Sequence, residues 1–305
     1  MNAFHADPLR APATIAEYLD RLRTALAGAD PALLQDALFD AEDYLRSEMA
    51  ANPGRSEAEV IAAVAGSYGA PDEVADIYRD TEARVQTALQ PPPRKTPRGA
   101  LAKFFGVALE PRTYGALFYM LLSLATGIFY FTWVVTGASI SAGLSVLIIG
   151  IPVVILFLGS VRVLALVEGR LVEAMLGERM PRRPAYVASE GTILQRIAAM
   201  FTDPRTWGTM LYMLLMLPLG IAYFTVVVML LTIALAFILA PIAVLLDALG
   251  WLAFSSSLDI NAELYQLPFV FVGGVLLLFA TMHLARGVGR LHGQLAKQLL
   301  VRAGA

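Results

Sequence analysis

At 305 residues, with 57% of them hydrophobic and a mean hydropathy of +0.64, the chain departs from the composition of an ordinary soluble protein. Its formal net charge of −2 conceals a split: residues 1–90 carry about 7 Lys/Arg against 16 Asp/Glu, and the remainder about 16 against 9. Cysteine is absent, which excludes disulfides, thiolate nucleophiles and cysteine-ligated metals.

The opening residues MNAFHADPLR lack a basic stretch followed by an apolar one, so no cleaved signal peptide is expected. From residue 12 to 90 the pattern predicts a small acidic all-helical domain. Thr14 with Glu17 makes a capping box ahead of Ile15, Tyr18, Leu19, Leu22 and Leu26. Asp30-Pro31 is a cap followed by proline at the first helical position, and the next helix turns Leu34, Leu38, Ala41, Leu45 and Met49 inward. Asp36, Asp40, Glu42 and Asp43 are expected to face outward or sideways, an acidic surface suited to a basic protein partner. Ser56 with Glu59 is a second capping box, and Val60, Ile61 and Val64 follow it. Gly69-Ala70-Pro71 breaks the chain before a last helix with Val74, Ile77, Tyr78 and Val85 on its apolar face.

The order YLDRLRTAL, AEDYLRSEM and SEAEVIAAVAGSYGAPDEVADIYR, covering about 65 residues, resembles the HAAS signalling domain. In that family a helical module ends in a Gly-x-Pro turn, sits beside membrane spans, and is encoded with PadR-like helix-turn-helix regulators. The resemblance implies a cytoplasmic protein partner, a transcription regulator, rather than direct contact with nucleic acid. Ser67-Tyr68-Gly69 departs from the leucine more usual before the glycine.

Residues 91–99 form a stiff basic linker, Pro91-Pro92-Pro93-Arg94-Lys95-Thr96-Pro97-Arg98 and Gly99, whose cations suit anionic lipid head groups. Beyond it the sequence occurs twice. PRTYGALFYMLLSLATGIFYFT from Pro111 and PRTWGTMLYMLLMLPLGIAYFT from Pro204 open two stretches that, carried on to Val135 and Val228, match at roughly 16 of 25 positions without gaps. Membrane repeat 1 is assigned to residues 100–190 and repeat 2 to residues 191–305, each with two spans. Lys103-Phe104-Phe105 and Arg196-Ile197-Ala198 open short amphipathic segments at the interface. Glu110-Pro111 and Asp203-Pro204 then restart the chain with the acid as cap, and Tyr114 and Trp207 fall at interfacial depth.

Four spans are predicted, at about 113–136, 143–167, 207–239 and 266–288. The stretch 208–252 contains Pro218 and Pro241 and reads as one broken span or two; one bent span is kept, because two would put Arg286, Arg290, Lys297 and Arg302 outside. The connection from Thr136 to Gly143 is uncharged, and that from Leu246 to Leu267 carries Asp247, Asp259 and Glu263 without a cation. The positive-inside rule therefore expects an integral protein of the cytoplasmic (inner) membrane with both termini cytoplasmic.

The spans end alike: Leu164-Ala165 and Gly169-Arg170-Leu171 recur as Leu284-Ala285 and Gly289-Arg290-Leu291. With the two Pro-Arg-Thr-aromatic-Gly starts, the Gly-Ile-x-Tyr-Phe-Thr motifs and the closing GRLHGQLAKQLL, this block of about 200 residues resembles the sensor domain of actinobacterial and related membrane signalling proteins. There a duplicated two-span unit replaces an extracellular sensor.

The residues offer little for catalysis. His5, His283 and His292 form no close metal cluster, and no cofactor or catalytic residue is expected. Glu168, Glu173 and Glu178 read as surface partners of Arg170 and Arg179, and intramembrane carboxylates look to be missing. Within the spans, Tyr119 and Tyr130 share one helix face, and Tyr212 and Tyr223 repeat that face. They pack helices or line a pocket for a lipid-like ligand, as two equivalent pairs about a pseudo-two-fold axis. Arg112 and Arg205 at the cytoplasmic rim would anchor the spans or hold lipid phosphates. The expected fold is all-α: a small cytoplasmic helical domain plus a four-span bundle built from two parallel repeats. The expected function is non-enzymatic membrane signalling, with membrane lipids and a regulator as partners and homo-oligomerisation left open. A transport accessory or lipid-handling protein is the alternative.

Overall fold

The structure is a computed structural model and describes residues 11–89, 99–145, 150–183, 201–249 and 266–302. The linker prolines, the Arg196-Ile197-Ala198 segment, His5 and the connection bearing Asp259 and Glu263 lie outside the described residues. Among those described, every regular element is helical. The chain divides into two compact units, the first comprising residues 1–94, 162–166 and 179–202, the second the rest.

In the first unit, α1 (Ile15–Ala25), α2 (Pro31–Ala51), α3 (Glu57–Ser67) and α4 (Pro71–Leu89) enclose one apolar core. Their starts are set by side-chain caps. Thr14 Oγ1 accepts from Glu17 N at 3.1 Å, Asp30 Oδ1 from Ala32 N at 2.9 Å, and Ser56 and Glu59 cap each other reciprocally. The Glu17 carboxylate reaches back to Ala13 N, one residue earlier than a capping box requires. Tyr18, Leu22, Leu26, Leu45 and Ile61 are sealed inside. The Tyr18 hydroxyl donates to the Gly69 carbonyl at 2.8 Å, and Gly69 takes φ +114°, a backbone conformation that glycine alone adopts without strain. This bond closes the turn between α3 and α4. Ile77 departs from expectation and is exposed, one helical position off the buried face of Val74 and Ala75.

In the second unit, α5 (Ala100–Gly106) and a 3₁₀ turn (Val107–Leu109) lead into α6 (Pro111–Leu144), α7 (Gly150–Leu176), α8 (Pro204–Ala248) and α9 (Leu267–Lys297), which ends in a π-helical turn. The last four are long and apolar enough to cross a membrane, and the protein is an integral membrane protein. The helices run past the predicted span ends at 136, 167, 239 and 288, while α7 begins at Gly150, seven residues later than predicted. The uncharged stretch from Thr136 to Gly143 continues α6 rather than looping, since nothing in it breaks a helix that carries no charge to solvate. α8 is one continuous helix through Pro218 and Pro241, so residues 208–248 form a single element. Asp203 caps α8 by accepting from Arg205 N at 3.0 Å. Glu110, one methylene longer, makes no cap bond to α6 and pairs with Arg286 at 2.8 Å instead.

α6 and α8 cross in close contact. A Cβ on Gly127 would overlap the Met216 carbonyl, and one on Gly220 would overlap the Ser123 carbonyl. Residues 123 and 216, like 127 and 220, share the separation of Tyr119 and Tyr212, which is 93. Burial recurs at that spacing: Thr113 and Thr206, Tyr119 and Tyr212, Met120 and Met213, Val134 and Val227 are all inside. Small residues let the backbones approach, as van der Waals packing between apolar helices requires. Phe104 and Phe105 of α5 pack on Phe279, and His283 Nε2 lies 3.0 Å from the Phe104 carbonyl, so the amphipathic segment is pinned to α9.

Candidate functional site

Four helices deliver polar side chains to one point in the second unit. Tyr119 and Tyr130 come from α6, eleven residues or about three turns apart, hence on one face. Tyr212 and Tyr223 come from the matching positions of α8, Glu168 from α7 and His292 from α9. Glu168 is 0% exposed, His292, Tyr119 and Tyr212 are each 1% exposed, and Tyr130 is 3% exposed; Tyr223 is half-buried.

The carboxylate is the acceptor at the centre. Tyr119 and Tyr212 hydroxyls reach Glu168 Oε1 at 2.5 and 2.8 Å, and the Tyr130 hydroxyl donates to Oε2 at 2.9 Å. On the other side His292 Nε2 lies 2.7 Å from the Tyr119 hydroxyl and 2.9 Å from that of Tyr212. The two hydroxyls are 3.3 Å apart, and Tyr223 lies 3.4 Å from His292 Nδ1. Each phenol owns one proton, so counting donors constrains the network. If Tyr119, Tyr130 and Tyr212 all donate to Glu168, then His292 Nε2 must carry a proton and donate to the Tyr119/Tyr212 oxygens. A neutral imidazole then accepts from Tyr223 at Nδ1.

Sequence reasoning brought the four tyrosines to the bundle interior but missed the two groups they serve. Glu168 is not a surface residue, and the expected lack of an intramembrane carboxylate is corrected by its complete burial. The reason is that α7 continues to Leu176, which turns Glu168 toward Tyr119 and Tyr130; Arg170 pairs with Glu173 at 3.1 Å on the open side, as expected. His292, to which the sequence assigned no role, is also enclosed. A signal was present. The matching Gly-Arg-Leu endings align Glu168 with Val288 and His292 with Val172, so the two similar segments differ in chemistry at these two positions. No group of three or more His, Cys, Asp or Glu comes together among the described residues.

The other predicted residues lie elsewhere. The Arg112 guanidinium sits over Gly177, its Cζ 3.2 Å from where a Cβ there would be, and Arg205 is half-buried at the start of α8. The four acids belong to α2 in the first unit, and only Asp43 is fully exposed. Glu42 is buried against Arg46 at 2.7 Å, and Asp40 accepts from the Tyr78 hydroxyl at 3.0 Å. Asp36, expected on the outside, is 5% exposed. Burial pushes its carboxyl above the usual range, against the opposing pull of the Arg183 and Arg182 N–H groups and the Arg179 guanidinium.

An apolar cavity of about 340 Å³ lies between α6 and α7, walled by Phe129, Trp133, Ile140, Leu156 and Phe157. Trp133 Nε1 donates to Ser160 Oγ at 2.9 Å on its edge.

Residues 119–300, which contain all six members of the buried cluster, match the protein family described as "Putative sensor". No curated protein and no solved structure matches the chain.

Proposed function

The chain belongs to the Sensor family, and from that premise we propose a non-enzymatic membrane signalling protein whose spans sense membrane state or a hydrophobic ligand. The helical domain of residues 12–90 engages a cytoplasmic regulator, such as a PadR-like transcription factor. The positive-inside distribution puts both termini in the cytoplasm of a bacterial cell, and the two copies act as parallel repeats about an axis along the membrane normal.

The buried cluster carries this reading. All four spans contribute to it, and each contribution is a hydrogen bond with a narrow distance and angle range. A lateral shift of α6, α7 or α8 breaks bonds to the buried carboxylate, worth about 1.5–3 kcal/mol each, and a shift of α9 breaks the His292 bonds to the tyrosine hydroxyls. A change in membrane packing is thereby converted into a choice between discrete arrangements of the helices. The apolar cavity between α6 and α7 supports an acyl or similarly apolar ligand as one input.

The test uses the full chain in its own cells. Tyr130→Phe and Tyr223→Phe, singly and together, are compared for the transcripts that change when the protein is deleted. Each variant is expected to shift that output, and the double variant to shift it by less than the sum, because both hydroxyls serve one network. Wild-type output from all three, at wild-type abundance in the membrane, would overturn the sensing role.

A further inference from the structure

The acidic face of the first unit is already filled. The chain from Arg179 to Arg183 lies across α2 and α4, and its contacts read both main chain and side chains. Asp36 Oδ1 accepts from two successive backbone N–H groups, Arg182 at 2.6 Å and Arg183 at 2.8 Å. Asp36 Oδ2 takes the Arg179 Nη2 at 3.1 Å while Glu82 takes its Nε at 3.2 Å, with all three side chains about nine-tenths buried. Arg183 pairs with Asp40 at 2.8 Å and lies over the Phe39 ring, and its carbonyl accepts from Gln35 Nε2 at 2.6 Å. Met180, 0% exposed, fills the space beneath.

These are the elements of peptide recognition: a bent, non-helical segment, one acid that accepts from two of its successive backbone N–H groups, and carboxylates that hold its arginine side chains. The forked guanidinium between two carboxylates selects arginine, because the single ammonium of lysine cannot satisfy both. The buried Gln35 Oε1 has no partner, so the face retains unused hydrogen-bonding capacity beside the Arg183 carbonyl.

We propose that this face of α2 and α4 is a recognition site for a bent arginine-containing segment, with Arg179–Arg183 as its resident occupant. A regulator would engage the protein by placing its own arginine segment there. That last step rests on the regulator reading above; the recognition site does not.

The full-length protein in phosphatidylcholine nanodiscs, whose zwitterionic surface does not attract basic peptides, is titrated with labelled acetyl-Arg-Met-Pro-Arg-Arg-amide. Replacing the occupant's anchors, Arg179→Ala with Arg183→Ala, should tighten peptide binding by about tenfold or more, since a site occupied nine-tenths of the time loses that factor in apparent affinity. Adding Glu82→Gln should abolish the gain. In the unaltered protein, saturating peptide should expose the Arg182 and Arg183 amides to hydrogen exchange. If those amides stay protected, or the opened variant binds no peptide, the segment is a fixed staple and the proposal fails. A regulator that binds the full-length protein while these amides stay protected would sink the recognition site and keep the regulator reading. Peptide exchange without regulator binding would do the reverse.

Discussion

Glu168 shows how much one buried acid demands of its surroundings. Three phenols donate to its two oxygens, and those facing a donor put in place of either oxygen would lose their acceptor. Glu168→Gln keeps the shape but must aim its NH₂ at either Tyr130 or the Tyr119/Tyr212 pair. It is expected to destabilise the four-helix unit by about 1–3 kcal/mol, the cost of an unsatisfied buried donor. Denaturant titration in micelles, followed by helical circular dichroism, measures this, and unchanged stability would show that the network tolerates the clash. The same geometry separates two tyrosines that the sequence presents as equals. Tyr130 is buried and bonds the carboxylate at 2.9 Å, whereas Tyr223 is half-buried and 3.4 Å from an imidazole nitrogen, so Tyr130→Phe should have the larger effect on output.

Among the elements, the helix starts were legible because caps are local. Thr14, Asp30, Ser56 and Asp203 each announce a first turn within four residues of sequence, and each makes its bond. The helix ends were not, because an apolar span has no local stop. Where α6 leaves the hydrocarbon depends on the bilayer, and residues 136–143 carry no signal either way. Close approach of α6 and α8 was only half legible: the recurring glycines mark it, but that Gly127 meets Met216 and Gly220 meets Ser123 is a matter of crossing angle. Gly127→Ala and Gly220→Ala should each cost about 1–3 kcal/mol, since the added carbon meets backbone rather than a movable side chain. The loss can be read in the same micelle titration, and full stability in both variants would show that the crossing has slack.

At the scale of the whole molecule, long-range charge pairing was the part hidden from the sequence. Nothing local connects Asp36 to Arg179, and an acidic helix face looks the same whether it awaits a partner or already holds one. The proposed orientation, by contrast, rests on charge counting alone. Because the chain has no native cysteine, a thiol at Ser145 should react with a membrane-impermeant reagent in intact cells, and one at Gly99 should not. Labelling at Gly99 would invert the topology. The unlike residues at the centre of the cluster have a further consequence for how such a chain can be divided. Each half supplies two tyrosines, but only the first supplies the acid and only the second the imidazole. Two first halves would bury two carboxylates with no imidazole opposite, and two second halves would leave the phenols without their carboxylate acceptor. The two halves of the cluster are therefore complementary rather than interchangeable, and the acid–imidazole pair exists only where one chain carries both.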